Sequence, residues 1–177
     1  PPGHIAAGYL SASVLLKFAD PGFSSAQINE LLLWGAFYGF APDLDTFYAF
    51  FKQKSFLVDG DMKISHRKFY SHTPFIWLLA GALIYFFSAS IYVKFIGLLL
   101  FAGSWSHFLL DTIEYGIMWL WPFNNKFYAL KKIEVRNIIS EKKFFKHTWQ
   151  FLKLYSSKVS FYLEIIVIIC ALIVLLN

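Results

Sequence analysis

The sequence predicts an all-α protein, a polytopic bundle of transmembrane helices. Hydrophobic residues make up 58% of the 177 residues and aromatic residues 21%, whereas an average globular protein is about 45–50% apolar. Mean hydropathy is +0.53. Several apolar stretches approach the roughly 20 residues that a helix needs to cross a bilayer. Basic residues gather between these stretches, which is typical of the cytoplasmic side of a membrane protein.

Four apolar stretches are predicted to span the membrane, after a short N-terminal helix over residues 5–18 that cannot span unaided. The predicted spans are 31–51, 73–92, 95–110 with its continuation through Asp111 and Thr112, and 159–177. Residues 73–92 contain no charge, and Thr73 and Pro74 suit the N-cap and the first helical position.

The chain is predicted to form one integral-membrane domain over residues 1–177. Its motif-bearing core is 1–125, a basic cytoplasmic or interfacial segment follows over 126–158, and the last transmembrane helix is 159–177. The single cysteine, Cys170, excludes an internal disulfide. Length and composition therefore allow one domain held together by helix packing.

Charge placement orients the predicted bundle. Of the 16 Lys and Arg residues, 14 lie in residues 52–68 and 126–158. The positive-inside rule places both segments in the cytoplasm. The net charge of +5 is explained by this topology and by contact with anionic lipid head groups, so membrane lipids are expected partners and nucleic acid is not.

Seven histidines and aspartates interrupt or border the apolar stretches, where an ionisable group costs several kcal/mol unless it has a partner or a task. The predicted topology brings them to one face of the membrane at similar depth. Histidine with aspartate is a ligand mixture that suits zinc, manganese or iron and can activate water. The predicted metal-binding set is His4, Asp43, Asp45, His66, His72, His107 and Asp111.

Two pairs within this set have informative spacings. His107 and Asp111 are four residues apart and share one face of a helix; they could grip one ion, or form a neutral pair in which the aspartate orients the histidine. Asp43 and Asp45 would point roughly 200° apart on a regular helix. Pro42 disrupts the helix, which would let both carboxylates converge. The alternative is a proline kink with one aspartate at the interface.

Residues 66–74 combine two imidazoles with basic side chains. Arg67 and Lys68 could hold a phosphate group while the histidines hold metal; the alternative is an ordinary cytoplasmic loop. Ser71 is disfavoured as a nucleophile because no nucleophile-elbow motif surrounds it. His147 lies in a basic amphipathic segment, 142–153, and is predicted to be a surface residue.

The order of these motifs resembles a known family. The pieces are His4, residues 39–45 (GFAPDLD), His66-Arg67, residues 71–73 (SHT), His107, Asp111-Thr112, Gly116 and residues 120–123 (LWPF). They resemble the membrane-bound metal-dependent hydrolases of the YdjM type, described as LexA-regulated inner-membrane proteins, over residues 4 to about 125. The resemblance implies a prokaryotic inner-membrane location and makes the seven residues the metal and catalytic set.

The chemistry that follows is metal-dependent hydrolysis at the cytoplasmic face. One or two divalent transition-metal ions, zinc or manganese, would activate water. The expected ligands are Asp43, His72, His107 and Asp111, the expected general base is Asp45 or His66, and the expected anion clamp is Arg67. The favoured substrate is an amphiphile, a phosphate-containing lipid or lipid-linked intermediate.

Two other classes of function are weighed against this one. An ion, proton or metal transporter also carries intramembrane carboxylates and histidines, but a pathway would distribute them across the membrane, and no inverted repeat is visible. A metal-stabilised, non-catalytic membrane protein would have a closed coordination shell with no room for water.

Overall fold

A computed structural model describes residues 2–48, 67, 69–114, 116–131, 149, 152–153 and 155–176. This described part of the chain is helical, apart from one antiparallel bridge between Ile117 and Tyr128, so the predicted all-α class is confirmed. The main helices are α1 (Pro2–Ala19), α2 (Ser25–Phe40), α3 (Pro74–Phe87), α4 (Ile91–Thr112) and α5 (Val159–Leu176). Two 3₁₀ helices, Ala41–Leu44 and Tyr70–His72, lie between α2 and α3.

Two of these helices, α4 and α5, are long and apolar enough to cross a membrane by length and composition. Helix α3 is apolar but has only 14 residues. Within the described residues two such spans are thus found where four were expected. Side chains such as Ile166 and Ile173 on α5 are more than half exposed, at 56% and 55%, so this helix offers much of its apolar surface to its surroundings.

The helix boundaries differ from the predicted ones where proline and serine intervene. The predicted span 31–51, in which a kink or broken turn was expected at Pro42, is divided: α2 ends at Phe40 and the chain tightens into the 3₁₀ helix Ala41–Leu44. Pro42 explains this break, because proline has no N–H to donate and clashes with the preceding turn. Helix α3 ends at Phe87 because Ser88 takes an extended conformation.

Two helices, α1 and α3, begin at a proline, a residue that is favoured at the first position of a helix. Thr73 precedes α3 in an extended conformation and Pro74 opens the helix, as predicted, but the Thr73 hydroxyl donates to the Tyr70 carbonyl (2.6 Å) and not to the helix. Helix α1 begins at Pro2 and runs 18 residues, longer than the predicted 5–18. Proline is tolerated there because a first-turn N–H has no intrahelical partner.

Helices α1 and α2 cross with their backbones in contact at Gly8 and Gly39. A Cβ atom on Gly39 would overlap the carbonyl oxygen of His4 and come within 3.0 Å of Gly8 Cα. Small residues permit this kind of close crossing, which is common among membrane helices. The start of α1 is thereby fixed against the end of α2.

The buried apolar core lies between α1, α2 and α4, and it includes Ala12, Leu31 and Leu99, each at most 1% exposed. The loop after α4 folds back on the end of that helix: Gly116 N–H donates to the Asp111 carbonyl (3.0 Å) and Leu130 N–H to the Thr112 carbonyl (2.8 Å). The start of α1, the end of α2 and the end of α4 thus meet beyond the core.

Candidate metal centre

Six of the seven predicted ligand residues lie in the described part of the chain, and all six converge at this end of the bundle. His66 lies outside the described residues. His4 lies in the first turn of α1. Asp43 lies in the 3₁₀ helix that follows α2, and Asp45 comes directly after that helix. His72 lies in the second 3₁₀ helix, and His107 and Asp111 lie in the last turns of α4. His4 Nε2 lies 3.3 Å from Asp111 Oδ1, across 107 residues of sequence.

Four candidate ligand atoms from three elements, the two 3₁₀ helices and α4, lie near one another. The Nε2 atoms of His72 and His107 are 3.4 Å apart. Asp43 Oδ1 lies 3.8 Å from each of these nitrogens, and Asp111 Oδ2 lies 3.9 Å from each. Ligands at about 2.0–2.1 Å from a tetrahedral zinc ion are about 3.4 Å from one another. Each carboxylate oxygen thus lies near both imidazole nitrogens, at slightly more than that spacing. The ligand atoms of His72, His107 and Asp111 all lie within 4.8 Å of one another.

Hydrogen bonds on the other side of each ring set the tautomers of the two histidines. His107 Nδ1 lies 2.9 Å from the Gly39 carbonyl oxygen, and His72 Nδ1 lies 2.6 Å from Asp45 Oδ2. Both partners only accept, so each Nδ1 carries the hydrogen and a neutral ring presents a lone pair at Nε2. The two lone pairs and the carboxylate oxygens beside them then repel one another unless a cation lies between them.

The charges of the site suit a divalent ion. Three carboxylates, Asp43, Asp45 and Asp111, are accompanied by the guanidinium of Arg67, whose Nε lies 3.2 Å from Asp111 Oδ2. With neutral imidazoles the sum is −3 + 1 = −2. Burial raises the pKa of the Asp43 carboxyl, and the nearby Asp111 adds to this, while His4 and His72 oppose it. A positive charge at this point would offset the cost of burying the carboxylates.

Asp45 supports the imidazole of His72 from outside the four-atom set. Its Oδ2 accepts from His72 Nδ1 and from the hydroxyl of Ser71 (2.7 Å). The Ser71 carbonyl in turn accepts from the indole of Trp77 (2.7 Å). The geometry therefore gives Ser71 a supporting contact, and an aspartate that fixes a ligating histidine in this way is a common feature of metal sites.

His4 adds a further potential ligand on the α1 side. Its ring centroid lies 4.2 Å from that of His107, and one ligand atom from each of His4, Asp43 and His107 falls within 4.8 Å of the others. His4 Nδ1 is buried and has no hydrogen-bond partner among the described residues. The described residues thus offer more ligands than one zinc ion usually takes, which leaves room for one ion or two.

Several groups that support the site were not predicted from the sequence. The Gly39 carbonyl fixes His107, and a backbone acceptor has no signature of its own in sequence. Ser71 had been weighed only as a nucleophile, although its place beside His72 was the signal that could have indicated a supporting role. The aromatic donors Trp77 and Trp105, which bond the carbonyls of Ser71 and Pro74, hold the start of α3 against the site.

An apolar helical bundle that buries a histidine–aspartate cluster at one end defines an α-helical membrane protein with a candidate metal centre. The family described as YdjM inner membrane protein matches residues 1–177, and the chain belongs to this family. The resemblance to the YdjM type, predicted over residues 4 to about 125, is thus confirmed as to the family, and the match extends over residues 1–177. No curated protein and no solved structure matches the chain.

Proposed function

We propose that the protein is a membrane-embedded metal-dependent hydrolase. The observation that carries the proposal is the convergence of the His72 and His107 Nε2 atoms, with their Nδ1 atoms already engaged by Asp45 and Gly39. Such an arrangement leaves the lone pairs of both rings available to a cation. Zinc or manganese suits these nitrogen and oxygen ligands; calcium prefers oxygen ligands alone.

Each side chain has a role in this proposal. Asp43, His72, His107 and Asp111 hold the ion, which would lower the pKa of a bound water and polarise the scissile group. Asp45 orients His72, and His4 orients Asp111. Since Asp45 is already engaged with His72 and Ser71, we assign the role of general base to His66, the neighbour of Arg67 in the sequence.

The surroundings of the site favour an amphiphilic substrate. Arg67 lies beside Asp111 and supplies a cation for a phosphate group. Three apolar side chains close to Asp43 and Asp45 in sequence, spaced i, i+3 and i+4, are exposed: Leu44 by 42%, Phe47 by 51% and Tyr48 by 56%. An apolar rim next to charged groups suits a phosphate-containing lipid, whose head reaches the ion while its tail stays in the membrane.

The proposal includes a polytopic arrangement with the site at the cytoplasmic face. Helices α2 and α3 both pack on α4, so a membrane that contains α4 also surrounds them. The basic stretches 52–68 and 126–158 come after the site-bearing ends of α2 and α4 in sequence. The positive-inside rule then orients that end of the bundle towards the cytoplasm.

A substrate screen tests the proposal. Purified protein loaded with zinc or manganese is incubated with phospholipids and isoprenoid phosphates in detergent or bilayers, and released phosphate or head group is measured. We expect turnover that chelator and Asp43→Asn both abolish and that His147→Ala leaves intact. Activity confined to water-soluble esters or peptides would exclude a lipid substrate and leave only general hydrolysis.

A metal-stabilised, non-catalytic protein is the second candidate. Asp43 and Asp111 each approach both imidazoles, and four protein ligands would be enough for a closed tetrahedral shell; this observation favours it. X-ray absorption spectroscopy of the zinc-loaded protein separates the two candidates. A coordination number above that of the protein ligands indicates bound water and supports an open catalytic site. A closed shell of four protein ligands supports the structural role.

A further inference from the structure

Helix α5 contributes no residue to the metal centre, yet two of its polar side chains are buried. Ser160 and Glu164 are only 4% and 9% exposed, although most of the rest of the helix is apolar. They lie one turn apart at its start, on the side that faces α1 and the end of α4. Buried polar groups in a helix suited to a membrane are costly and often mark a functional contact.

The first contact joins α5 to the end of α4. Glu114, 1% exposed, follows Asp111 by three residues. Its Oε1 accepts from the backbone N–H of Val159 (3.1 Å) and its Oε2 from the Ser160 hydroxyl (2.6 Å). A carboxylate here satisfies N–H groups that have no partner within the helix and complements the helix dipole.

The second contact joins α5 to the start of α1. Glu164 accepts a hydrogen bond from the hydroxyl of Tyr155, and its side chain lies directly on Gly3, where a Cβ atom would overlap it. Gly3 is the neighbour of His4. Glu164 therefore holds the backbone turn from which the His4 imidazole extends.

Together the two contacts close a ring around the α1 side of the site. On α4 and the residues after it, His4 contacts Asp111, and Glu114 follows Asp111 by one turn. On α5, Ser160 donates to Glu114, and Glu164 follows Ser160 by one turn. Glu164 lies against Gly3, which returns to His4. From this ring we infer that Glu114, Ser160 and Glu164 are positioning residues, through which α5 holds His4 and Asp111 in register. This inference rests on the proposed metal site but concerns residues that do not touch the ion.

The test combines zinc affinity with hydrogen exchange measured without metal. In Ser160→Ala and Glu114→Ala we expect amide exchange to quicken in residues 2–12, although neither change lies in α1, while α3 is unchanged and serves as the internal reference. Zinc affinity, from chelator competition, should fall about tenfold or more, the loss typical of residues that support metal ligands. Glu114→Gln keeps one acceptor oxygen for the Val159 N–H, and its amide NH2 can donate to the Ser160 hydroxyl oxygen, so it should recover most of the affinity.

Ser156→Ala is the matched control, because that exposed hydroxyl donates only locally, to the Lys153 carbonyl. Ser160→Ala removes a single hydroxyl and decides the test if Glu114→Ala fails to fold. Unchanged exchange in residues 2–12, or an equal rise in α3, would overturn the positioning role. Wild-type protein that binds no zinc would refute the proposed function, and the exchange data alone would then decide the role of α5.

Discussion

His72 Nδ1 lies 2.6 Å from Asp45 Oδ2, and the opposite edge of the same ring faces His107 at 3.4 Å. The imidazole therefore separates two kinds of carboxylate. Asp45 lies behind the ring and fixes its hydrogen, whereas Asp43 and Asp111 lie on the Nε2 side. Substitutions at the two kinds of position should thus have different effects on metal binding.

The first prediction compares Asp43 with Asp45. Asp43→Ala should abolish stoichiometric zinc binding because it removes a ligand. Asp45→Ala should weaken binding by about 10–100-fold, because it removes only the partner that orients His72. Competition with a chromophoric chelator measures both, with Ser156→Ala as the control. Loss of stoichiometric binding in Asp45→Ala, with binding retained in Asp43→Ala, would make Asp45 the ligand.

The second prediction concerns the two buried histidines. Protein purified without chelator should contain bound transition metal, and His72→Ala or His107→Ala should lose most of it, as measured by elemental analysis. His147→Ala is the matched control, since its sequence neighbours include no aspartate or other histidine. Metal-free wild-type protein after gentle purification would contradict the site assignment.

The third prediction concerns the stability of metal-free protein. Because burial raises the pKa of Asp43, stability is lost as the pH rises from the ordinary aspartate pKa of about 3.9 to the raised pKa, and the full cost is present above it. Asp43→Asn should therefore raise the Tm of metal-free protein at neutral pH, by about 2–4 °C for each kcal/mol relieved. The same variant should show no rise in Tm when zinc is added.

Thermal unfolding at acidic pH provides the check on that sign. The advantage of the asparagine should shrink as the pH falls from the raised pKa towards the ordinary aspartate pKa of about 3.9, below which the carboxyl is protonated in both the folded and the unfolded state. An asparagine variant less stable than wild type at neutral pH, without metal, would show that ionised Asp43 stabilises the fold by itself.

The fourth prediction concerns the α1–α2 crossing. Gly39→Ala would place a methyl group against the His4 backbone and Gly8, and overpacking of this kind costs typically 1–3 kcal/mol. Zinc affinity should fall with stability, because the Gly39 carbonyl also fixes His107. Leu33→Ala, at a position 70% exposed on the same helix, is the control and should leave zinc affinity unchanged in the same thermal and titration measurements.

The fifth prediction concerns topology. In a background without Cys170, single cysteines at Lys63 and Lys132 should be shielded from a membrane-impermeant thiol reagent in intact cells. A cysteine at Ser90, in the turn between α3 and α4, should be labelled because it is expected on the opposite side. Labelling at either lysine position would contradict the cytoplasmic orientation of the site.

Much of the candidate site could be predicted from the sequence, because it depends on the free-energy cost of ionisable groups in apolar stretches and on the direction in which each helix runs. Aspartates and histidines in apolar stretches needed a shared partner, and the expected orientation brought them to one end of the bundle. The convergence of Asp43 and Asp45 followed from Pro42, which interrupts α2 as expected. These inferences depend on side-chain chemistry and chain direction, both of which are visible in a sequence.

Other features could not be predicted because they depend on which surfaces meet. The acceptor for His107 is a backbone carbonyl, and every residue has one. Ser160 and Glu164 are unremarkable in sequence until α5 is placed against α1 and α4. Hydropathy likewise predicted four spans, whereas two helices of the described residues are long and apolar enough to cross a membrane. Hydropathy measures the length of an apolar stretch and does not detect that a helix ends before Pro42 or Ser88.

The order in which the ligands leave the ribosome follows from their distribution along the chain. The proposed ligands, together with His4, are divided among four elements, and the last two, His107 and Asp111, occur at the end of α4. A nascent chain that stops before α4 holds only part of the set and cannot enclose an ion. Metal capture at the proposed centre would thus be a late event in biogenesis, and a bound ion would mark those copies whose helices have finished assembling.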